Sequence, residues 1–545
     1  MSESTLGEGA ESAVPSVPAP AVARRKGGAA IVIAAGIVLS RLLGFVRERV
    51  QSRYLGLGWQ ADAFTGAFSI PNFLQNLFGE GVLSASFIPV YAKLVAQGDD
   101  EEAGRVAGAV FALLALVVAV LVLLGVLAAP LMVDIITSGF EGEKRDLTVR
   151  LVRVLFPGTG LLVLGAWCLG ILNSHRRFFL PYVAPVLWNV AMIATLVAFG
   201  SRVSMSRLVI LLAWGSVLGS ALQFGVQLPT ALALVKRLRI RVDTTTPSVR
   251  QVARQFGPVF VGRGVVQISG YVDRGIASHL VTGALAALNK AQMLYFLPIS
   301  LFGMAVSAAE LPAMSSQLGT TAEIAATLQR RLNAGMRRIA FFVVPSAIVF
   351  IALGDVLIAA LMQNGQFGPA QTRYVWGILA GSSVGLLASA LGRLDASTFY
   401  ALRDTRTPLK TAMLRIVLTT GLGLLFAFPM PRWLGIDPKW GAAGLTASAG
   451  IAGWVEFLIL RGVLNRRIGH TGLPAAFAAR LYLAAGLGAA AGWGVKLVLP
   501  QMHPALAAVA ILGAFGLVYL AVVVALGVPE AAEVTGRLRR LAGRR

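Results

Sequence analysis

Charged residues are scarce in this sequence. Only 13% of its 545 residues are Asp, Glu, Lys or Arg, whereas soluble domains carry roughly a quarter. Apolar residues make up 56% of the chain, and its mean hydropathy is +0.74. Apolar runs of about 20 residues, the length that crosses a bilayer core, recur between residues 28 and 528. The composition excludes a soluble enzyme and predicts a single polytopic membrane protein.

Cysteine and histidine are also rare. Cys168 is the only cysteine, so neither an internal disulfide nor a cysteine-based metal site can form. The four histidines are scattered, and the sequence has no HExxH motif and no GxxxxGK phosphate loop. The acidic or histidine cluster that metal-diphosphate chemistry needs at a membrane face is lacking as well. We therefore expect no enzymatic activity.

Acidic residues are fewer than basic ones, 25 against 48, which gives a net charge of +23. Nucleic-acid-binding proteins concentrate such charge on the surface of a soluble core, but here it lies mostly in short segments between apolar runs. This distribution is typical of the cytoplasmic loops of membrane proteins. It argues against nucleic acid as a partner and predicts that both termini lie in the cytoplasm.

Apolar length, interrupted by Gly, Pro and charged residues, predicts fourteen transmembrane helices. A β-barrel is excluded because the period-2 alternation of its strands is absent. The predicted helices lie within residues 28–56, 62–95, 104–136, 147–173, 180–200, 206–235, 253–281, 287–315, 330–362, 371–400, 408–430, 440–462, 474–498 and 505–528.

The two halves of the sequence resemble each other. Three segments recur in the same order at an offset of 226 or 227 residues: GFVRERV and GYVDRGI, SIPNFLQNLF and FLPISLF, SHRRFFLP and RDTRTP. We therefore predict an all-α fold of two six-helix lobes, related by a pseudo-twofold axis along the membrane normal, plus two C-terminal helices. The predicted division is a disordered cytoplasmic tail (1–26), an N-terminal lobe (27–236), a basic cytoplasmic linker (237–255), a C-terminal lobe (256–467), helices 13 and 14 (468–530) and a basic cytoplasmic tail (531–545). Such lobes are typical of transporters that work by alternating access.

Several charged residues lie inside the first predicted helix. Each costs at least a few kcal/mol at mid-membrane depth unless it meets water or a partner. Arg41 and Arg47 are therefore expected to face a cavity, and Glu48 shares a helical face with Arg41. For Arg49 and Arg53 the simpler expectation is that the side chains snorkel to the membrane interface.

The second predicted helix carries a polar stripe. It opens with Asp62 and continues with Asn72, Asn76 and Glu80 at a spacing of four, with Gln75 beside them. This spacing places the polar groups on one helical face. The stripe indicates a face that lines a cavity, although hydrogen bonds between helices explain the two asparagines equally well.

Five motifs of this sequence resemble the MurJ/MviN family, the lipid II flippases of the multidrug/oligosaccharidyl-lipid/polysaccharide exporter superfamily. They are SRLLGFVRE (40–48), ADAF (61–64), IPNFLQNLFGEG (70–81), FIPVY (87–91) and FYALRDTRTPLK (399–410). The similarity extends over nearly the whole chain from about residue 28. It implies a multi-pass protein of the bacterial inner membrane that moves the undecaprenyl-diphosphate-linked disaccharide pentapeptide outward for peptidoglycan synthesis.

The resemblance also implies roles for individual residues. Arg41 and Arg47 match the family's essential arginines of the first helix and are expected to bind the substrate diphosphate. Asp62 and Glu80 match its acidic residues. We expect them, together with Glu48, to act in gating by pairing with these arginines in one state and releasing them in the other.

Two positions depart from the family. Gln75 and Met293 stand where essential arginines are expected, so they are predicted to line the cavity, with Asn72 and Asn76, without the usual charge. Three basic residues are candidates to replace that charge because of their proximity in sequence alone: Arg49, Arg274 and Lys290.

A sodium ion is the one cofactor that the resemblance suggests. The family's sodium-linked Asp of the seventh helix matches Asp273. The Asn and Asp that some members supply from the eleventh helix have no counterpart in LRIVLTTGLGLL, residues 414–425. The resemblance therefore implies only part of a sodium site, and membrane potential is the other candidate energy source.

The expected function is lipid II flipping by a monomer, with lipid II and membrane lipids as partners and the cell-wall synthesis machinery as a further candidate. One alternative is a flippase for another polyprenyl-linked oligosaccharide, or a multidrug exporter of the same superfamily, which the two missing arginines favour. A second alternative is a non-transporting scaffold of the cell-wall machinery, against which the charges of the first helix argue. A polytopic glycosyltransferase would need larger acidic external loops than this sequence has.

Overall fold

The computed structural model describes residues 26–316, 320–500, 502–532 and 536, without the side chains of residues 26–34, 80, 258–269 and 321. The two predicted tails therefore lie almost entirely outside the described residues, as does the side chain of Glu80. Within the described chain the regular structure is helical, with one isolated bridge between Asn364 and Phe367.

The first half of the chain contributes eight helices. They are α1 (Lys26–Leu55), α2 (Trp59–Phe78), α3 (Glu80–Gln97), α4 (Asp100–Leu127), α5 (Ala129–Ile136), α6 (Gly142–Ser174), α7 (Phe179–Phe199) and α8 (Met205–Leu234). Helix α6 is central and packs against α2, α3, α4 and α8, whereas α1 packs on α7. The side chains of α6 are apolar on several sides, and its Leu151 and Trp167 are fully buried, as expected for a helix enclosed by others.

The second half contributes ten helices. They are α9 (Pro247–Ser278), α10 (Ala284–Pro298), α11 (Ala305–Ser315), α12 (Thr321–Ala352), α13 (Gly354–Met362), α14 (Pro369–Ser383), α15 (Leu386–Ala401), α16 (Arg406–Ala427), α17 (Pro429–Trp433) and α18 (Gly441–Ile468). Helix α18 packs against α14, α15 and α16. The last two helices, α19 (Ala475–Val498) and α20 (Pro504–Ala525), pack on each other and contact α12 and α13.

Every predicted membrane segment coincides with one helix or with consecutive helices separated by a short break. In the described chain ten helices are long and apolar enough to cross a membrane, or eleven if α14 and α15, which are bent by 42°, form one span. The helices α1, α2, α3 and α9, which carry most of the candidate site, are not among the ten. The all-helical multi-pass fold is thus confirmed, and the lobe boundaries stay a prediction.

Two of the breaks lie beside the candidate site. The second predicted span is interrupted at Gly79, where a Cβ atom would come within 2.3 Å of the Gln75 carbonyl oxygen, so any other residue would require the backbone to shift. In the eighth predicted span a π-helical turn, Ile299–Met304, joins α10 to α11. Such turns often occur at functional sites, and this one places Ser300 opposite α1.

Candidate functional site

Asp62 joins the two halves at one end of the bundle. It lies in the first turn of α2 and is 1% exposed. Its carboxylate accepts hydrogen bonds from the backbone N–H groups of Gly283 and Ala286, at 2.7 and 2.9 Å, and from Lys144 Nζ at 2.8 Å. A carboxylate is stabilised at a helix N-terminus. Gly283, the N-cap residue just before α10, has a φ of +90°, which favours glycine.

Further contacts close the same end. The Gln366 N–H donates to the Arg53 carbonyl oxygen at 2.8 Å, and the Gly139 N–H donates to Ser278 Oγ at 3.0 Å. Each bond joins a residue of α1–α8 or their loops to a residue of the second half. We call this end of the bundle, where α1 and α9 end, the closed end.

Replacing Asp62 with Asn should open the closed end more often. The substitution removes the charge that pairs with Lys144 and the α10 N-terminus. Ala286, which bonds Asp62 and is 3% exposed, becomes accessible only when the closed end opens. A cysteine at this position therefore measures opening by its reaction with maleimide, and the native Cys168 does not interfere because it is buried. We expect D62N to raise the maleimide labelling rate of A286C several-fold in the purified protein.

Asp437→Asn provides the matched control for this prediction. Asp437 pairs with Lys439 Nζ at 2.7 Å and accepts a hydrogen bond from the Lys439 N–H, but it is exposed and bonds only within its own loop. The Lys439 hydrogen bonds hold the pKa of Asp437 below its usual value, so its carboxylate is charged at neutral pH. Equal labelling rates in D62N and D437N would show that Asp62 does not hold the closed end.

A second ion pair joins the halves deeper in the bundle. Lys290 Nζ of α10 donates to Glu48 Oε1 of α1 and, at 2.7 Å, to Ser52 Oγ one turn further on. Lys290 is 3% exposed and Glu48 is 4% exposed. Nearby, Arg49 Nη1 donates to the Ala360 carbonyl oxygen of α13 at 2.6 Å. Arg49 is thus part of the contact between the halves rather than an exposed interfacial residue.

Arg41 and Arg47 have little compensating charge. The guanidinium of Arg47 lies over the Trp188 ring, 4.7 Å from its centroid, and 3.9 Å from Glu48 Oε2. Its Nε is buried without a hydrogen-bond partner in the described residues. Arg41 is exposed, and its Nη1 lies 3.5 Å from Ser300 Oγ of the second half. Both guanidinium groups are therefore available to an anion between the halves.

The polar stripe of α2 at Asn72, Gln75 and Asn76 lies away from the closed end along its helix, as Arg41 does along α1. Asn72, Gln75 and Asn76 are half-buried and form no side-chain hydrogen bonds with other described residues. Met293 of α10 is also half-buried. These amides, which have no side-chain partners, are consistent with a face that meets water or a ligand. The Tyr271 hydroxyl of α9 donates a hydrogen bond to the Ser69 carbonyl oxygen at 2.8 Å, one turn before Asn72.

Further charged residues, which we call the charged cluster, lie on α9, α16 and α18. Arg415 Nη1 of α16 donates to Glu456 Oε2 of α18 at 3.0 Å, and Asp273 and Arg274 are neighbours on α9. The guanidinium of Arg274 also lies over the Tyr271 ring, 4.9 Å from its centroid. The sequence analysis did not single out Arg415 or Glu456, although each is a charged residue inside a predicted span and could have been found by that criterion.

The cluster does not fit a bound sodium ion. Asp273 offers an oxygen, Oδ1, that is buried without a hydrogen-bond partner among the described residues. However, the next residue of α9 is the positively charged Arg274, and no group of three or more His, Cys, Asp or Glu side chains that could hold a metal ion occurs in the described chain. A neighbouring positive charge disfavours a bound metal cation.

Two helical halves that meet along a polar, charged seam and are closed at one end form the architecture typical of alternating-access transporters. Solved structures share this fold. A multidrug resistance MATE family transporter of the MOP superfamily, in its inward-facing conformation, aligns with a TM-score of 0.61 at 17% identity, over 80% of this chain and 98% of that one. "Lipid II flippase MurJ, inward closed conformation" aligns with a TM-score of 0.73 at 23% identity, over 90% and 98%.

Sequence comparison is more specific than the fold. The family model described as "Lipid II flippase MurJ" matches residues 51–525. The probable lipid II flippase MurJ of Rhizobium tropici is 32% identical over 448 residues, which are 81% of each chain. This chain belongs to the lipid II flippase MurJ family, as its motifs predicted.

Proposed function

We propose that this protein transfers lipid II from the inner to the outer leaflet of the bacterial inner membrane by alternating access. The observation that carries the proposal is the pair Arg41 and Arg47, two guanidinium groups without full counter-charge between the halves. Diphosphate is the part of lipid II that charge-assisted hydrogen bonds from arginine recognise. The names of the relatives support lipid II as the substrate.

The protein is oriented with both termini in the cytoplasm. Basic residues are concentrated in the connections at the end where α1 begins, such as 175–177, 236–241, 403–410 and 461–467. The closed end carries acidic residues in or beside its connections, including Asp134 near the end of α5, Glu141 and Asp437. By the positive-inside rule the closed end faces outward, and the exposed Arg41 lies on the cytoplasmic side of it.

In this state the site is ready to receive a headgroup from the inner leaflet. The diphosphate meets Arg41 and Arg47 while the polyprenyl tail stays in lipid. Outward opening then requires the bonds from the Gly283 and Ala286 N–H groups of the second half to Asp62 to break, whereas Lys144 belongs to the same half as Asp62. Asp62 pairs here with Lys144 rather than with the arginines, so its predicted pairing with Arg41 or Arg47 belongs to another state. The protein acts as a monomer and leaves the substrate chemically unchanged.

The departures from the family alter the inner surface of the cavity. Gln75 and Met293 provide no positive charge, and Lys290 is committed to Glu48. Arg274 of α9, whose guanidinium lies over Tyr271, is the candidate of the three that remains to contact the substrate. A cavity with fewer arginines also suits a different polyprenyl-linked glycan. The experiment below distinguishes this alternative from lipid II.

The experiment measures lipid II on the outer leaflet of cells depleted of their own flippase and expressing this chain. We expect exposure of lipid II to be restored. If the inserted and folded protein restores no lipid II exposure but does export another polyprenyl-linked oligosaccharide, the proposed substrate is wrong. If neither is exported, the transport function itself is contradicted.

A further inference from the structure

One face of α15 is accessible although α11, α12 and α18 pack against this helix. Its exposed and half-buried residues recur at spacings of three and four, and the residues between them are buried. This spacing places them on one helical face. We call this face the α15 stripe; it consists of Ser389, Gly392, Arg393, Ala396, Ser397 and Tyr400.

The α15 stripe does not have the composition of a lipid-facing surface. The exposed face of α16 carries large apolar side chains such as Met413 and Val417, whereas the α15 stripe has no Val, Leu, Ile, Met or Phe. An arginine in contact with lipid is also unfavourable. The Tyr295 hydroxyl of α10 donates to Ser389 Oγ at 2.9 Å, so another helix lies over the start of the stripe. The stripe therefore faces a space inside the second half.

Helix α18 brings part of the charged cluster beside this stripe. A Cβ atom at Gly453 of α18 would lie 3.6 Å from Ser389 Oγ. The glycines one turn earlier on the two helices also touch, so α15 and α18 run in the same direction. One turn further on, Arg393 of α15 therefore lies beside the turn of α18 that carries Glu456. Glu456 is already paired with Arg415 at 3.0 Å.

Arg393 is a positive charge without a partner of its own. Its side chain is exposed, and its guanidinium forms no hydrogen bond or ion pair with the residues that the structure describes. Asp395 is close in sequence, but a separation of two residues turns it away from the stripe, and it is 0% exposed with both carboxylate oxygens unbonded among the described residues. Arg393 is thus available to an anion in the space that the stripe faces.

Ser389 provides a second donor one turn from Arg393. Its oxygen accepts the hydrogen bond from Tyr295, and its own hydrogen has no acceptor in the described part of the chain. Ser382 and Ser383, by contrast, each donate to a carbonyl oxygen one turn back in α14. A guanidinium and a hydroxyl on one face suit a carboxylate, because the charge-assisted bonds of arginine match its two oxygens.

The arrangement of the helices connects this donor pair to the site on α1. The π-helical turn that faces Arg41 through Ser300 also packs on α15, where Gly303 meets Ala390. Ser300 and Gly303 are about one turn apart, as are Ala390 and Arg393. An extended chain of five residues spans up to about 17 Å, so a pentapeptide whose lipid-linked headgroup lies at α1 can reach the α15 stripe.

We propose that Arg393 and Ser389 bind a carboxylate of the pentapeptide of lipid II, so that α1 binds the diphosphate and the second half recognises the peptide. This inference rests on the proposed function, because it takes lipid II as the substrate. It makes Arg393 a residue that determines specificity, since undecaprenyl-diphosphate-linked sugars without a peptide gain nothing from it.

The test compares the binding of two lipids to the purified full-length protein by fluorescence titration: lipid II, and the same lipid without its pentapeptide. The wild type should bind lipid II more tightly. R393Q should lower the affinity for lipid II about tenfold and leave the affinity for the peptide-free lipid unchanged. S389A should cause a smaller loss, again for lipid II alone, and gives an independent test if R393Q does not fold.

Three further variants serve as comparisons. R393K keeps the charge but loses the planar pair of donors, so its loss should be smaller than that of R393Q. R432Q removes an exposed arginine at the closed end and should change neither affinity. R41A/R47A should weaken the binding of both lipids, because both carry the diphosphate.

The outcomes separate this proposal from the function on which it rests. Wild-type affinity of folded R393Q for lipid II would overturn it, and so would an equal loss for both lipids, which would assign Arg393 to the diphosphate. If the wild type binds both lipids equally well, the peptide site alone is contradicted. If the wild type binds neither lipid, the proposed function fails as well.

Discussion

Exchanging both Arg41 and Arg47 for alanine is expected to lower outward transfer of lipid II about 100-fold. A hydrogen bond to a charged group contributes roughly 1.5–3 kcal/mol, and each 1.4 kcal/mol corresponds to about a factor of ten. Because Arg41 is exposed and forms only a long contact with Ser300, its loss should weaken substrate binding without unfolding the protein. Exposure of lipid II in flippase-depleted cells is the measurement.

The control for this prediction is the double variant R373A/R432A. Arg373 and Arg432 are exposed arginines at the closed end, on α14 and α17, so the variant removes the same net charge away from the seam. The variant R41K/R47K should retain part of the activity, because lysine keeps the charge but loses the planar pair of donors. Normal transfer by R41A/R47A, at wild-type expression, would exclude these arginines as the diphosphate site.

The second large effect is expected at Lys290. Among the described residues, Lys290→Met leaves the buried carboxylate of Glu48 with Arg47, at 3.9 Å, as its one nearby cation. Breaking a buried pair by removing one partner costs about 3–5 kcal/mol, and we expect the lower part of that range, about 3 kcal/mol, because Arg47 remains. Denaturant unfolding of the purified protein measures this loss, and lipid II exposure should fall with it.

Two further variants distinguish the loss of the buried Glu48–Lys290 ion pair from the loss of any lysine. The double variant E48Q/K290M should recover most of the stability, since no unpaired charge stays buried. Lys236→Met removes a lysine that bonds Asp100 at 2.7 Å, but 71% of its side chain is exposed, so it should cost less than about 1 kcal/mol. If K290M unfolds at the same denaturant concentration as K236M, the contact between Glu48 and Lys290 does not hold the halves together.

Several features of the candidate site are evident from the sequence. The charges of α1 and the polar stripe of α2 could be located because a charge inside an apolar span must face water or a partner. The departures at Gln75 and Met293 were visible from the motifs alone. The partners of these charged residues could not be read from the sequence. Lys290, for example, was considered as a substitute for a missing arginine, and the structure pairs it with Glu48 instead.

The sequence by itself determined that this protein is a multi-pass helical bundle of the lipid II flippase MurJ family, because apolar length, loop charge and local motifs are one-dimensional properties. Only the tertiary structure decided which charges meet. Asp62 lies 82 positions from Lys144 and 221 from Gly283, and Arg415 and its partner Glu456 come from two different helices. Such contacts depend on how helices pack and rotate against one another, which no local pattern specifies.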